Sequence, residues 1–365
     1  MAWINTGGFQ DELGFWGGTH VFNSRGELVL LLPQNEELLS CFDLHALDSM
    51  PVVADWRWQL GSEEGLMKEL DSALGLYLKD YFRKSGLSGK VLLGLSGGID
   101  SSVVATAAAK HLGPANVLGV RMPSRFNSHQ EMALAVDLAA NLKITLRDLP
   151  IEPYLQPIEA GLGAGAGSLA HENLQARLRA LMLWTIANQE DRVVLNTTNW
   201  TEAAMGYGTI GGDLLGLPLI ASLPKTWVYR LARYYKDSGF PSITQAHLDI
   251  APTAALKPDQ SDESSFGARY WVLDAVLEDL FMNYGDLEKT KQKLQTDTNL
   301  LQRYQPINGI ADKPSSLAAV IDRCAQALLK QTEFKRWYYN RTPQFTPYAW
   351  LRWRWPLANA QFLRD

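Results

Sequence analysis

Cysteine is nearly missing from this sequence: Cys41 and Cys324 are the two thiols in 365 residues. Two thiols this far apart make no C-x-x-C metal spacing and no disulfide framework, so both read as free cysteines of a reducing, cytoplasmic compartment. Long apolar runs are missing as well. Leu28 to Pro33 is strand-sized, far short of the roughly 20 residues that span a bilayer. The start, Met1-Ala2-Trp3-Ile4-Asn5, lacks the basic-then-apolar order of a secretory signal, and no membrane association is expected. A basic excess is also lacking: the formal net charge is -5, which argues against a general nucleic-acid binder. No Walker-type G-x-x-x-x-G-K-[ST] motif occurs, and no internal repeat shows.

What is present is apolar sequence to bury: 46% of residues are hydrophobic and 20% charged, the balance of a soluble globular chain. Residues 1–60 read as β-rich. Thr19–Phe22 and Glu27–Leu32 flank the turn residues Asn23-Ser24-Arg25-Gly26 as a hairpin. Pro51–Gly61 reads as a linker. Residues 63–84 carry helical spacing through Leu66, Leu70, Leu74, Tyr77 and Phe82. From residue 88 strands and helices alternate. Strands are expected at Lys90–Leu95, Asn116–Val120, Lys143–Asp148 and Arg192–Thr197. Helices are expected at Ile99–Leu112, Ser128–Leu142 and His171–Gln189. This alternation predicts an α/β fold with a doubly wound parallel sheet covered by helices on both faces. The chain from about 268 reads as mostly helical. Gly161–Gly167 superficially matches a dinucleotide fingerprint, but no strand precedes it and the spacing is wrong, so it reads as a mobile loop.

The strongest local signal is Val91-Leu92-Leu93-Gly94-Leu95-Ser96-Gly97-Gly98-Ile99-Asp100-Ser101-Ser102. A strand enters a glycine pair that opens a helix. At the carboxyl edge of a parallel sheet, such a turn faces ligand. Gly97 and Gly98 let the backbone approach an anion, and the first helical amides then point at it. Ser96, Ser101 and Ser102 carry hydroxyls that can bind phosphate oxygens. Asp100 suits such a site once a divalent cation stands beside it. Taken alone, the segment also fits a tight turn whose helix is capped by a polar side chain.

Ser96-Gly97-Gly98-Ile99-Asp100-Ser101 resembles the pyrophosphate loop of the N-type ATP pyrophosphatases. Further segments narrow the likeness: Arg121–Ser128 (RMPSRFNS), Glu172–Arg179 (ENLQARLR), Asn196–Glu202 (NTTNWTE), Gly206–Asp213 (GYGTIGGD), Pro224-Lys225-Thr226 and Asp259-Gln260-Ser261-Asp262-Glu263. In order and spacing they are similar to the NAD synthetases, specifically the glutamine-dependent branch, from about residue 62 to 290. The resemblance implies an adenine nucleotide α-hydrolase-like fold over residues 61–300. It implies a ligase that uses ATP and Mg²⁺ to amidate deamido-NAD through an adenylated intermediate, releasing AMP and pyrophosphate.

Site residues follow from the same likeness. Ser96, Gly97, Gly98, Ile99, Asp100, Ser101 and Ser102 would cradle the ATP phosphates, with Arg125, Arg177 and Lys225 supplying positive charge and Thr197 near the adenosine. Asp100 and Glu202 would hold the metal, and these two with Lys225 would form the catalytic set. Asn173, Tyr207, Asp213, Asp262 and Glu263 would contact deamido-NAD, the last two on a closing loop. Thr198, Trp200 and Gly211 depart from the commonest family pattern, in which glycine, a cation and tyrosine stand there.

Residues 1–60 resemble the end of a nitrilase-like glutaminase domain, through Asn5–Leu13 and Trp16–Thr19. The family's glutaminase residues lie upstream of that stretch, so nitrogen is expected from ammonia or from a separate glutaminase chain. A homodimer is expected from the family. Residues 301–365 resemble the family's helical and aromatic, basic extension; Lys335–Tyr339 and Trp350–Trp355 interleave cations with rings, which fits cation–π packing better than nucleic-acid stacking. Two other readings share the loop: a different amide ligase of the superfamily, or a nucleotide-binding homologue without turnover.

Overall fold

The computed structural model describes residues 1–10, 13–36, 38–53, 62–163, 165, 167–214, 216–258, 260–282, 286–296 and 317–327. Asp259 and both aromatic, basic tail segments lie outside the described residues.

The front of the chain is β-rich, as expected. Strands β1 (Ala2–Trp3), β4 (His20–Phe22) and β5 (Leu28–Leu31) form an antiparallel sheet in the order β1-β4-β5. Strands β2 (Gly7–Gln10) and β3 (Leu13–Trp16) form a separate hairpin. The hairpin docks on helix α1 (Glu63–Ser85). Phe9 is buried edge-on against Tyr77, and the Phe9 amide donates to Asp80 Oδ2 at 2.8 Å. Helix α1 begins where Ser62 accepts from the Gly65 amide, carries Glu63 and Glu64 in its first turn, and stops at Gly86 in the left-handed region.

Five parallel strands follow: β6 (Val91–Gly94), β7 (Val117–Arg121), β8 (Thr145–Asp148), β9 (Val193–Asn196) and β10 (Leu217–Pro218). Their order is β10-β9-β6-β7-β8. Winding runs from β6 through β7 to β8, then returns to the other side of β6 with β9 and β10. The reversal between β6 and β9 opens a crevice at the carboxyl edge. Val91, Leu92 and Leu93 are fully buried, as a central strand covered on both faces demands.

Helices α2 (Ile99–Leu112) and α3 (His129–Leu142) lie with α1 in the larger apolar cluster, which takes in Leu74, Val103, Ala107 and Leu138. Helices α4 (Glu152–Leu162) and α5 (Leu169–Glu190) cover the opposite face, where Leu155, Leu178 and Ile186 meet Leu92, Leu118 and Val194. The short α6 (Trp200–Met205) leads to β10, and α7 (Lys225–Asp237) returns onto the first face through Val228, Leu231 and Tyr235. After α8 (Gln245–Asp249) and α9 (Asp262–Phe266), helices α10 (Tyr270–Met282), α11 (Leu287–Thr296) and α12 (Leu317–Gln326) complete the described chain. A second cluster joins α6, α10 and α12 through Trp200, Leu273, Leu277 and Ile321.

The long elements lie where the sequence pattern puts them; helix α2 coincides with its expected span. Helix α4, strand β10 and helices α6 to α9 lie outside the expected spans. Helix α4 carries Pro157 inside it, which hides a helical pattern. Strand β10 is two residues long, too short to show a period. Gly161 and Leu162 of the glycine-rich stretch end α4, with Gly163 as its left-handed cap. Among the described residues no helix is long and apolar enough to cross a membrane.

Candidate active site

The site begins at the β6–α2 turn. Gly97 holds φ at +88°, and a Cβ there would run into the Glu131 carbonyl, so only glycine fits. Ser96 Oγ accepts from the Gly98 amide at 3.2 Å and lies 3.1 Å from Ser101 Oγ. Ser101 and Ser102 are buried, and both hydroxyls donate to the Gly98 carbonyl, at 3.0 and 2.9 Å. They brace the loop from beneath. No side chain caps α2 at Gly98, and the strand end that leads into it, Gly94–Ser96, lines the crevice.

Asp100, in the first turn of α2, accepts from Asn199 Nδ2 at 2.9 Å. Asn199 also opens α6 in a reciprocal capping box: its side chain accepts from the Glu202 amide at 3.0 Å, and Glu202 Oε2 accepts from the Asn199 amide at 3.2 Å. The other oxygen of Glu202 is turned toward Lys225 Nζ, 3.2 Å away. Glu202 is therefore both a helix cap and a partner of the lysine.

Lys225 is the first residue of α7 and is 1% exposed. Its ammonium donates to Asp100 Oδ2 as well as to Glu202, and lies 4.7 Å from the centroid of the Tyr270 ring. Burial opposes the charge on Lys225, but Asp100 and then Glu202 outweigh it and raise its pKa well above the ordinary lysine value. The Glu202 carboxyl is pushed up to about 8, first by burial; Lys225 pulls it down, while Asp100 and Asp262 add to the rise. Asp262 is buried and also raised, chiefly by burial, and accepts from Tyr270 Oη at 2.9 Å.

Three acids thus surround one ammonium. Carboxylate oxygens are hard ligands of the kind a magnesium ion takes. Among the described residues no group of three or more His, Cys, Asp or Glu is placed to hold a metal ion.

Beside this cluster lies a cleft of about 390 Å³. Its floor is Gly94–Ser96, Met122–Pro123 and Asn196–Thr197, the ends of β6, β7 and β9. One wall is α5 through Asn173, Ala176 and Arg179; the other is Gly206–Thr209, Gly212–Asp213 and Gln260. Asp213 Oδ1 accepts from the Thr209 amide at 2.7 Å, and Thr209 Oγ1 donates to Asn173 at 2.8 Å, which shapes the rim. Gln260 Nε2 donates to Tyr207 Oη at 2.9 Å, closing the rim on its other side.

Of the site residues expected from sequence, Ser96, Asn173, Thr197, Tyr207 and Asp213 line this cleft. Asp100, Glu202, Lys225 and Asp262 form the adjoining charged cluster. Ile99 is buried in the core and contributes backbone. Glu263 Oε1 accepts from the Tyr270 amide at 3.3 Å. Two expected cations are not brought in. Arg125 pairs with Glu152 at 3.0 Å and Glu159 at 3.4 Å. Arg177 is exposed and donates to the Ile210 carbonyl at 3.1 Å. Neither lines the cleft.

Arg179 lines it instead, with Nε donating to the Met122 carbonyl at 3.1 Å. Burial lowers its pKa to about 10, with Asp213 pulling the other way, so the guanidinium stays charged at neutral pH. The sequence does not separate the two: Arg179 shares a helical stripe with Ala176 and Leu183 and Arg177 with Leu181 and Trp184, both apolar, and only the packing of α5 leaves Leu181 exposed.

Comparison with known proteins agrees with this geometry. Residues 71–308 match the family model described as NAD synthase. The chain is 34% identical to the glutamine-dependent NAD(+) synthetase of Aquifex aeolicus, over 99% of this chain and 65% of that one. It is also 34% identical to the glutamine-dependent NAD(+) synthetase of Synechocystis, over 99% of this chain and 61% of that one. The chain therefore spans less than two thirds of either relative. Among solved structures, NMN synthetase from Francisella tularensis matches at 29% identity and TM-score 0.54, covering 68% of this chain and 99% of that one. A glutamine-dependent NAD(+) synthetase from Cytophaga hutchinsonii shares the fold at TM-score 0.73 and 18% identity, covering 100% of this chain and 64% of that one. Matched over well more than half its length by the family model, with a glycine-serine loop and a buried lysine–carboxylate cluster at the carboxyl edge of a parallel sheet, the chain belongs to the NAD synthase family.

Proposed function

We propose that this chain amidates the nicotinate carboxylate of deamido-NAD at the expense of ATP, giving NAD, AMP and pyrophosphate. The observation that carries the reading is convergence: the β6–α2 amide turn, the Lys225–Asp100–Glu202 cluster and the cleft share one edge of the sheet. A carboxylate oxygen attacks the α-phosphorus of ATP and the bond to pyrophosphate breaks. Ammonia then attacks the acyl carbon, AMP departs, and one proton is lost.

Both steps bring anions together, so fixed positive charge lowers the barrier. The loop amides at Gly97 and Gly98 receive the leaving pyrophosphate. Lys225, which its two carboxylates keep protonated, faces the phosphate chain, and Arg179 supplies a guanidinium inside the cleft. Thr197 sits beside the adenosine, and Asp213 and Asn173 border the nicotinate end. Asp100 and Glu202 would hold Mg²⁺, which screens the phosphate charge that builds in the transition state. The segment holding Asp262 and Glu263 covers the reactive acyl adenylate from water.

Nitrogen enters the site as ammonia, free or delivered by a glutaminase. Exposed Trp3, Ile4, Leu38 and Leu39 on the front sheet region support docking of a glutaminase there. A homodimer is supported at α5, where Trp184 both lines the cleft and stands on an exposed helix face with Leu181.

Product analysis tests the reading. Purified chain is given ATP, Mg²⁺ and deamido-NAD, with ammonium or glutamine. NAD and AMP in equal amounts with ammonium, and none with glutamine alone, are expected. Pyrophosphate release with another acid but not with deamido-NAD would replace the substrate, and the mononucleotide acid is the first to try, given the likeness to NMN synthetase. No pyrophosphate with any acid would favour a nucleotide-binding homologue.

A further inference from the structure

Helix α7 delivers Lys225 into the site, yet it starts without a cap of its own. Pro224 precedes it and offers no side-chain acceptor. The first amides of a helix have no partner within it, and here they are buried. Their acceptors come from two other helices. The Lys225 amide donates to Thr201 Oγ1 of α6 at 2.9 Å, and the Thr226 amide donates to Asp274 Oδ2 of α10 at 2.8 Å. Thr201 Oγ1 in turn donates to Asp274 Oδ1. Asp274 and Thr201 are both fully buried.

One carboxylate therefore ties together three helices. Its first oxygen holds Thr201, the residue before Glu202. Its second holds the residue after Lys225. Thr201 closes the triangle by capping Lys225 itself. The negative charge also lies at the positive end of α7. Moving Asp274 would move the two partners of the central ion pair relative to each other.

We propose that Asp274 is a positioning residue for the amide-forming reaction, setting, through Thr201 and the first two amides of α7, where the Lys225 ammonium meets Glu202 and Asp100. The proposal rests on the preceding functional reading. It assigns to α10, a helix outside the parallel sheet, control over a charge that acts on ATP. A misplacement of about 1 Å in such a group can cost about 100-fold in rate.

The test compares Asp274→Asn, Thr201→Val, Thr201→Ser and the Asp274→Asn/Thr201→Val double variant in the full chain. Expected for Asp274→Asn is a kcat loss of about 10- to 100-fold per folded molecule, with KM for ATP within about threefold. Thr201→Val lowers kcat similarly, Thr201→Ser restores most of it, and the double variant loses little beyond the worse single one, since both cut the same relay. An acid that only stabilises the fold would lower the melting temperature and leave turnover per folded molecule intact; that result overturns the proposal. If Asp274→Asn does not fold, the Thr201 pair decides alone: equal kcat in valine and serine variants overturns it. If the wild-type chain turns nothing over, the functional reading fails. Amide hydrogen exchange over residues 225–228 then decides, with unchanged protection in Thr201→Val overturning the positioning role and faster exchange supporting it.

Discussion

The Lys225 ammonium lies against the Asp100 carboxylate across 125 positions of sequence. The contact joins the first turn of α7 to the first turn of α2, so the lysine is presented beside the β6–α2 turn and not in it. The P-loop enzymes place their lysine inside the glycine loop; here the fold brings the charge from a helix laid down much later.

Removing the lysine should remove the chemistry. Lys225→Met leaves the half-buried Asp100 and Glu202 beside an apolar chain. The expected loss in kcat is about 100- to 1,000-fold, the scale of deleting one preorganised charge-stabilising donor. Breaking a buried pair also costs about 3–5 kcal/mol of stability. Pyrophosphate release and the urea midpoint measure the two effects separately.

Gly97→Ala tests the loop. The substitution meets the Glu131 carbonyl and sits at positive φ. Stability should fall by about 1–3 kcal/mol, and ATP binding, followed by calorimetry, should weaken at least tenfold because the amides turn away from the phosphates.

The two arginines of α5 separate cleft from surface. Arg179→Met removes the guanidinium that lines the cleft and should cost about 2–4 kcal/mol in kcat/KM, the range for a charged hydrogen-bonding group. Arg177→Met should change kcat/KM less than about threefold, as an exposed substitution does. A large loss at Arg177 would mean that a second copy of the chain completes the site around it.

Acid stability should depend on Asp71. This buried carboxylate of α1 accepts from Lys110 Nζ at 2.6 Å, from Tyr235 Oη at 2.7 Å and meets His111 Nε2 at 2.8 Å. Burial pushes its pKa up, but His111, Lys110 and Tyr235 win and hold it below the usual aspartate value. A depressed folded pKa stabilises above the unfolded value, about 3.9, and is lost as pH falls through the folded one. Asp71→Asn should therefore lose about 3–5 kcal/mol at pH 7, and the gap to wild type should narrow below about pH 4. Urea unfolding at both pH values reads it; a gap that widens in acid would contradict the assignment.

Much of the fold was legible. Strand and helix alternation from residue 88 rests on local periodicity, and the elements found lie within a few residues of their expected bounds. The β6–α2 turn was legible for the same reason: glycine at the strand end and serine in the first helical turn act on their immediate neighbours. Some of what escaped was interrupted, as α4 by Pro157, or too short, as β10; α7, 13 residues long, is neither, and its span was read for the Pro224-Lys225-Thr226 motif alone. In the site, Asp100, Glu202 and Lys225 were legible because their motifs keep family order. Arg179 was passed over for Arg177, because both stand on apolar stripes of the sequence and only the packing of α5 tells them apart.

By itself, then, the sequence determined which segments coil or extend and which backbone turn can take an anion, because those preferences arise within a turn or two of the residue. Tertiary structure alone decided that winding reverses between β6 and β9, that Lys225 sits between Asp100 and Glu202, and that Asp274 caps a helix nearly 50 positions before it. Such pairings depend on the order of strands and the packing of helix faces, and distance along the chain carries no trace of either.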